Sequence, residues 1–195
     1  AYTEATAWQY RFFVPHDVNG MIQLFGGKEE FVAALDDIFN TDAEIHGNLV
    51  DITGLIGQYV HGNEPSHHIA YLYNYVGEPW KTQKMSRRLL NEMYHPTPEG
   101  IIGNEDCGQM SAWYILSSMG LYSVCPGSNE YVLTTPLFEK VVVHLANGRT
   151  LTILANDPQK NIYITKVELN GKQIDTNFIT YDLSLIHISE PTRPY

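Results

Sequence analysis

Positive charge is scarce in this chain. Lys and Arg number 12 against 22 Asp and Glu in 195 residues, a formal net charge of -10. So acidic a surface repels nucleic acid and anionic lipid, and no Lys/Arg cluster stands out, which argues against nucleic-acid binding. Long apolar runs are missing as well: no stretch approaches the ~20 residues that a bilayer span needs, and no charged-then-apolar leader opens the chain. An initiator methionine is also absent, so the chain is expected to be a piece of a longer polypeptide whose N-terminal part lies upstream. Cysteine is limited to Cys107 and Cys125. Both sit on loops beside a helix predicted from Gln109 to Met119, so either a disulfide staples that helix or two buried thiols flank it. The redox compartment stays open on this evidence.

What is present suffices for a sizeable core, with 44% apolar residues and 12% aromatics. From Val18 to Leu121 apolar positions recur at helical spacing. Phe31, Ala34, Leu35, Ile38 and Phe39 follow a start at Lys28, and Ile69, Leu72, Tyr73 and Val76 follow Ser66. Gly26-Gly27, Gly77 and Gly120 each close a periodic run, and Pro79 can open a new helix, giving about five helices. After Cys125-Pro126-Gly127 the period changes. Asn147-Gly148 lies between Val141–Leu145 and Leu151–Leu154, and Asn170-Gly171 follows Ile162–Leu169, so two antiparallel hairpins are expected. The expected class is α+β, with a helical part over 1–130, a β-strand region over 131–183, and a tail at 184–195. That tail breaks the strand pattern and reads as artefactual or frayed, without a packing role.

Chemistry concentrates in loops ahead of apolar helical runs. Hydrolysis of a glycosidic bond by inversion takes a carboxylic acid for the leaving oxygen and a carboxylate for water on the opposite face. Gly103-Asn104-Glu105-Asp106-Cys107-Gly108 offers adjacent carboxylates. In near-extended geometry Asn104 and Asp106 point one way and Glu105 the other, which leaves Asp106 either a base with Asn104 beside it or the N-cap of the following helix. In Asn63-Glu64-Pro65-Ser66, Glu64 is a general acid, an oxygen ligand for calcium with Asn63, or a first-turn acid complementing the helix dipole. His61, Glu64, His67 and His68 raise the question of zinc, but His67 and His68 diverge by about 100° on a helix and cannot both face one ion. Near the start, Trp8 lies four residues from Glu4, an indole beside a carboxylate that suits a sugar ring as well as plain packing.

Taken in order, Thr3-Glu4-x-x-Ala7-Trp8-Gln9-Tyr10, Val14-Pro15-His16-Asp17, His61 to His68, Gly103 to Tyr114 and Pro126-Gly127 resemble the C-terminal portion of a family 92 glycoside hydrolase over roughly residues 2–182. The resemblance implies a calcium-dependent, inverting exo-α-mannosidase acting on mannose-containing glycans, secreted or periplasmic. It also implies that residues 1–130 are part of an incomplete (α/α)6 barrel whose remainder, with a β-sandwich, belongs to the missing N-terminal part. By position, Asp106 resembles the general base, and Asn104 stands where some members carry an assisting aspartate. Glu4 resembles the general acid, Trp8, His61 and His67 the substrate contacts, and Asn63 and Glu64 the calcium-binding segment. The family's usual Gly-Asn after the first glutamate is here Ala5-Thr6, which alters the backbone freedom beside Glu4. A rival reading from another class is a non-catalytic glycan-binding or structural fragment.

Overall fold

The computed structural model describes residues 2–42 and 52–181, with a short strand at 188–189. Five α-helices are present among them: α1 (Ala7–Tyr10), α2 (Val18–Leu24), α3 (Lys28–Asn40), α4 (Pro79–Glu92) and α5 (Gln109–Ser118). Helix α3 keeps the predicted bounds because every local signal agrees. Left-handed Gly26 and Gly27 precede it, Glu29 and Glu30 complement the dipole in its first turn, and Phe31, Leu35, Ile38 and Phe39 form one buried stripe.

Between α3 and α4 the chain makes a small hairpin of β1 (Leu55–Ile56) and β2 (Tyr59–Val60), then a 3₁₀ turn at Glu64–Ser66. The helix predicted from Ser66 to Val76 is instead a 3₁₀ helix over Ile69–Val76, with left-handed Gly77 as its cap. It is buried at every position except Tyr75, and a tight threefold repeat lets three faces meet three neighbours. Tyr71 shares a hydrogen bond with the Ser117 hydroxyl (2.5 Å), Asn74 donates to the Leu133 carbonyl (3.2 Å), and the Ala70 carbonyl accepts from Thr82 (2.9 Å).

The β region begins earlier than residue 131. Strands β3 (Leu121–Tyr122) and β4 (Glu130–Leu133) run antiparallel, and β9 (Phe178–Thr180) pairs with the other edge of β4. The first expected hairpin is β5 (Lys140–His144) with β6 (Thr150–Leu154), where Gly148 takes the left-handed position of the loop. The second is β7 (Val167–Leu169) with β8 (Lys172–Ile174) across Asn170-Gly171, both with positive φ as a two-residue turn of this hand requires. The tail needs a correction. Ile188–Ser189 forms β10, antiparallel to the open edge of β7, where unpaired backbone groups invite a partner. The rest of 184–195 lies outside the described residues.

Two apolar cores result among the described residues. The larger joins Phe12, Phe31, Leu35, Ile38, Tyr59, Tyr71, Leu72, Leu89 and Trp113 across the helical part. The smaller joins Leu121, Leu133, Leu151, Ile153, Val167, Leu169 and Ile179 among the strands. The β3–β4 ribbon is their shared wall. Its paired residues Tyr122 and Val132 face the helical core, and the next pair, Leu121 and Leu133, faces the other, as the period of two dictates.

Candidate functional site

Three loops singled out by the sequence are joined through backbone and amide contacts. Asn63 caps the Glu64–Ser66 turn, its Oδ1 accepting from the Glu64 amide (3.1 Å), while its Nδ2 donates to the carbonyl of Glu4 (2.6 Å). Glu4 itself has φ +52°, a left-handed conformation that a non-glycine residue adopts at a cost. The glycines Gly62 and Gly103 bring the other two loops into backbone contact. A methyl group on Gly103 would lie 3.0 Å from the Gly62 carbonyl, and one on Gly62 would lie 2.2 Å from Thr53 Oγ1. Helix α1 is tied to the same region. Thr6 and Gln9 form a reciprocal capping box, and the buried Gln9 amide donates to the carbonyl of Gln58 beside β2.

The loop carrying Asp106 is not extended as expected. Asp106, Cys107 and Gly108 have φ values of +53°, +56° and +101°, three left-handed residues in succession. The loop therefore folds back on the start of α5. The N-cap position is Gly108, which has no side chain to offer, and the Glu105 carboxylate reaches the Ser111 amide instead (3.1 Å). Hydrogen bonds from Ser111 hold the Glu105 carboxyl below its usual range. With the cap supplied by Glu105, the Asp106 side chain stands exposed, as does Asn104 beside it. The cysteines are free thiols, as the second sequence reading had it, but they are not buried: Cys107 is exposed and Cys125 half-buried.

The histidines are placed as internal supports. His67 is buried, and its Nε2 meets the His61 carbonyl at 2.8 Å. A carbonyl only accepts, so Nε2 carries the proton and Nδ1 accepts from the Gln109 amide at 2.9 Å. Trp113 donates its indole N–H to the His67 carbonyl (3.1 Å). His61 is fully buried between two phenols, with Tyr59 at Nδ1 (2.9 Å) and Tyr94 at Nε2 (2.8 Å). Tyr94 donates to the Met110 carbonyl (3.2 Å), so it accepts from His61 Nε2–H, and Tyr59 donates to His61 Nδ1. Both rings have their nitrogens committed to protein partners, and in this arrangement they hold loops. His68 likewise gives Nε2–H to the Phe12 carbonyl (2.7 Å). Burial depresses all three, His61 far below its ordinary value and His67 and His68 to about 4, so each is neutral near pH 7.

Trp8 is half-buried, with the Arg11 guanidinium 4.5 Å from its ring centre, and it packs against the helical core. A cleft of about 500 Å3 is lined by Tyr94, Ile101, Ser111, Tyr114 and Ile115 among others, and by none of the eight residues that the sequence nominated. The exposed nominees Glu4, Glu64, Asn104 and Asp106 stand on open loop surface instead. For a hard cation, the oxygen donors available are the exposed Glu64 carboxylate and Asn63 Oδ1, which keeps a lone pair beyond its bond to the Glu64 amide. No three His, Cys, Asp or Glu residues cluster for a metal among the described residues. Calcium takes about six to eight oxygens, so these two fit one corner of a shell.

The chain is similar to known proteins in sequence and in fold. The family model of the glycosyl hydrolase family 92 catalytic domain matches residues 1–188. A secreted glycosidase of Arthroderma benhamiae is 33% identical over 186 residues, 93% of this chain and 22% of that protein. A family 92 α-mannosidase from Bacteroides thetaiotaomicron, solved with mannoimidazole, is 41% identical with a TM-score of 0.88, over 96% of this chain and 25% of its own. An inverting mannosidase of the same family and species is 36% identical with a TM-score of 0.83, over 98% of this chain and 28% of its own. The chain thus spans about a quarter of the length of the relatives it matches. By its sequence and by its fold, it belongs to glycosyl hydrolase family 92.

Proposed function

We propose that the polypeptide containing this chain is a glycoside hydrolase that removes α-linked mannose from glycan ends with inversion, and that this chain supplies much of the catalytic centre. The observation that carries the reading is the junction of the three loops: Asn63 bonded to Glu4, and Gly62 against Gly103. The mannosidases that it resembles supply the substrate class.

In this reading Asp106 is the general base. Its exposed carboxylate takes a proton from the attacking water as the water's oxygen bonds to the anomeric carbon, with the neighbouring Asn104 amide orienting that water. Glu4 donates its proton to the departing glycosidic oxygen. Trp8 presents an apolar ring towards the sugar's C–H face, and the buried His61 and His67 keep the loops in place. Asn63 and Glu64 would hold calcium together with oxygens from outside this chain. Bound there, the ion would orient sugar hydroxyls and help flatten the ring. The helices form part of an (α/α)6 barrel, and the chain by itself is inactive because three quarters of the relatives' length is wanting.

The test is Asp106→Asn in the full-length polypeptide, which should keep the fold and metal binding yet lose hydrolysis, because an amide cannot accept the proton. Turnover within about tenfold of the parent would remove Asp106 from the base role. Glycan binding without hydrolysis by the intact, calcium-loaded polypeptide would favour the non-catalytic reading.

A further inference from the structure

We propose that Glu105 is a positioning residue that sets the place of Asp106 by closing the left-handed turn onto helix α5; the inference rests on the reading of Asp106 as the base. Of the three left-handed residues, Cys107 has a side chain that disfavours that conformation, and Asp106 tolerates it at a smaller cost. Left alone, such a turn would relax towards ordinary backbone angles and swing the Asp106 carboxylate with it. It is held because each of the first four amides of α5 returns to the loop. Gln109 donates to the Asp106 carbonyl (3.2 Å), Met110 to the Glu105 carbonyl (3.3 Å) and Ala112 to the Gly108 carbonyl (2.8 Å). The remaining amide, that of Ser111, goes to the Glu105 carboxylate (3.1 Å).

That last bond is the one made by a side chain, and it spans the turn from the residue before it to the first turn of the helix after it. Without it, a helix-start amide loses its acceptor at a cap position where Gly108 has none to give. The role needs an acceptor oxygen at glutamate's reach and does not need a charge. Reach and charge are separable, and this makes the inference testable.

In the full-length polypeptide Glu105→Gln keeps reach and loses charge, while Glu105→Asp keeps charge and is one methylene short. The expected result is that Glu105→Gln retains kcat within about threefold, whereas Glu105→Asp and Glu105→Ala lose about tenfold or more in kcat with KM nearly unchanged. Hydrogen exchange at the Ser111 amide should be slow in the parent and in Glu105→Gln, and fast in the other two. If Glu105→Gln is as inactive as Glu105→Ala, the carboxylate itself takes part in the chemistry and the proposal is overturned. Equal activity of all three variants, or Glu105→Asp outperforming Glu105→Gln, overturns it as well. The exchange rates do not depend on what Asp106 does. Full activity in Asp106→Asn with the expected exchange pattern would therefore remove the base assignment alone, leaving Glu105 as the clamp of the turn.

Discussion

Replacing Gly103 with alanine puts the junction of the loops to a quantitative test. Gly103 has φ +76°, and forcing a side chain into that region costs about 1–2 kcal/mol. The added carbon would also sit 3.0 Å from the Gly62 carbonyl oxygen and 3.1 Å from Gly62 Cα, both backbone atoms, and 2.9 Å from the more yielding Thr53 hydroxyl. Reaching ordinary contact at 3.4 Å moves the two loops apart by about 0.4 Å. If about 1 Å of misplacement costs ~10²-fold in rate, this displacement scales to roughly sixfold in kcat. The stability loss should total about 2–4 kcal/mol, the left-handed penalty plus the steric opening. Gly77→Ala is the control, since its φ is +83° and no atom lies within 4 Å of the added carbon. It should cost about 1–2 kcal/mol and leave the rate alone. Thermal melts and steady-state kinetics of the two full-length variants decide the matter. The reasoning fails if Gly103→Ala is no more damaging than Gly77→Ala, for then the close backbone approach does not hold the loops in place.

A chelator should abolish hydrolysis by the full-length polypeptide and calcium restore it, with Glu64→Gln needing roughly tenfold more calcium; restoration by zinc alone would contradict the assignment of Asn63 and Glu64. The two glutamates should separate by leaving group: Glu4→Gln should slow natural glycans far more than an activated aryl mannoside, while Glu64→Gln should slow both alike, and the reverse pattern would move the acid to Glu64. The buried histidines make a prediction about pH. His67 and His68 titrate near 4 when folded and near 6.5 when unfolded, so their contribution is complete above about 6.5 and falls as the pH drops towards about 4, by about 3 kcal/mol per imidazole. Urea midpoints should fall steadily over that window, and a midpoint unchanged between about pH 7 and 5 would be inconsistent with neutral, buried imidazoles.

Where signals act locally and agree, the sequence was readable. The bounds of α3 and both Asn-Gly hairpins follow from caps, apolar period and turn residues within a few positions of one another. The Ile69–Val76 segment misleads because over eight residues an apolar run packed on all sides looks alike at 3.0 and 3.6 residues per turn. Strand β3 is too short to have a pattern, and it exists because β4 returns to pair with it. The site divides the same way. Motif order placed Glu4, Asn63 and Asp106 in one family, and the structure links the first two directly. The left-handed turn at Asp106 and Cys107 runs against the preference of Cys107, and Asp106 tolerates it without calling for it, so it had no local signature, and Glu105's bond to Ser111 depends on that turn. The burial of His61 and His67 was not legible, because spacing does not show burial and their partners Tyr94 and Gln109 come from segments far along the chain.

The β3–β4 ribbon also bears on how the molecule guards against misassembly. A slip of β4 by one residue would turn Leu133 towards the helical side and Val132 towards the strands, while Tyr122 and Leu121 kept their old directions. Both cores would be mispacked by a single error. A chain that tries the wrong pairing therefore meets opposition from two independent quarters, and the register of four residues acts as a lock that only the native alignment turns.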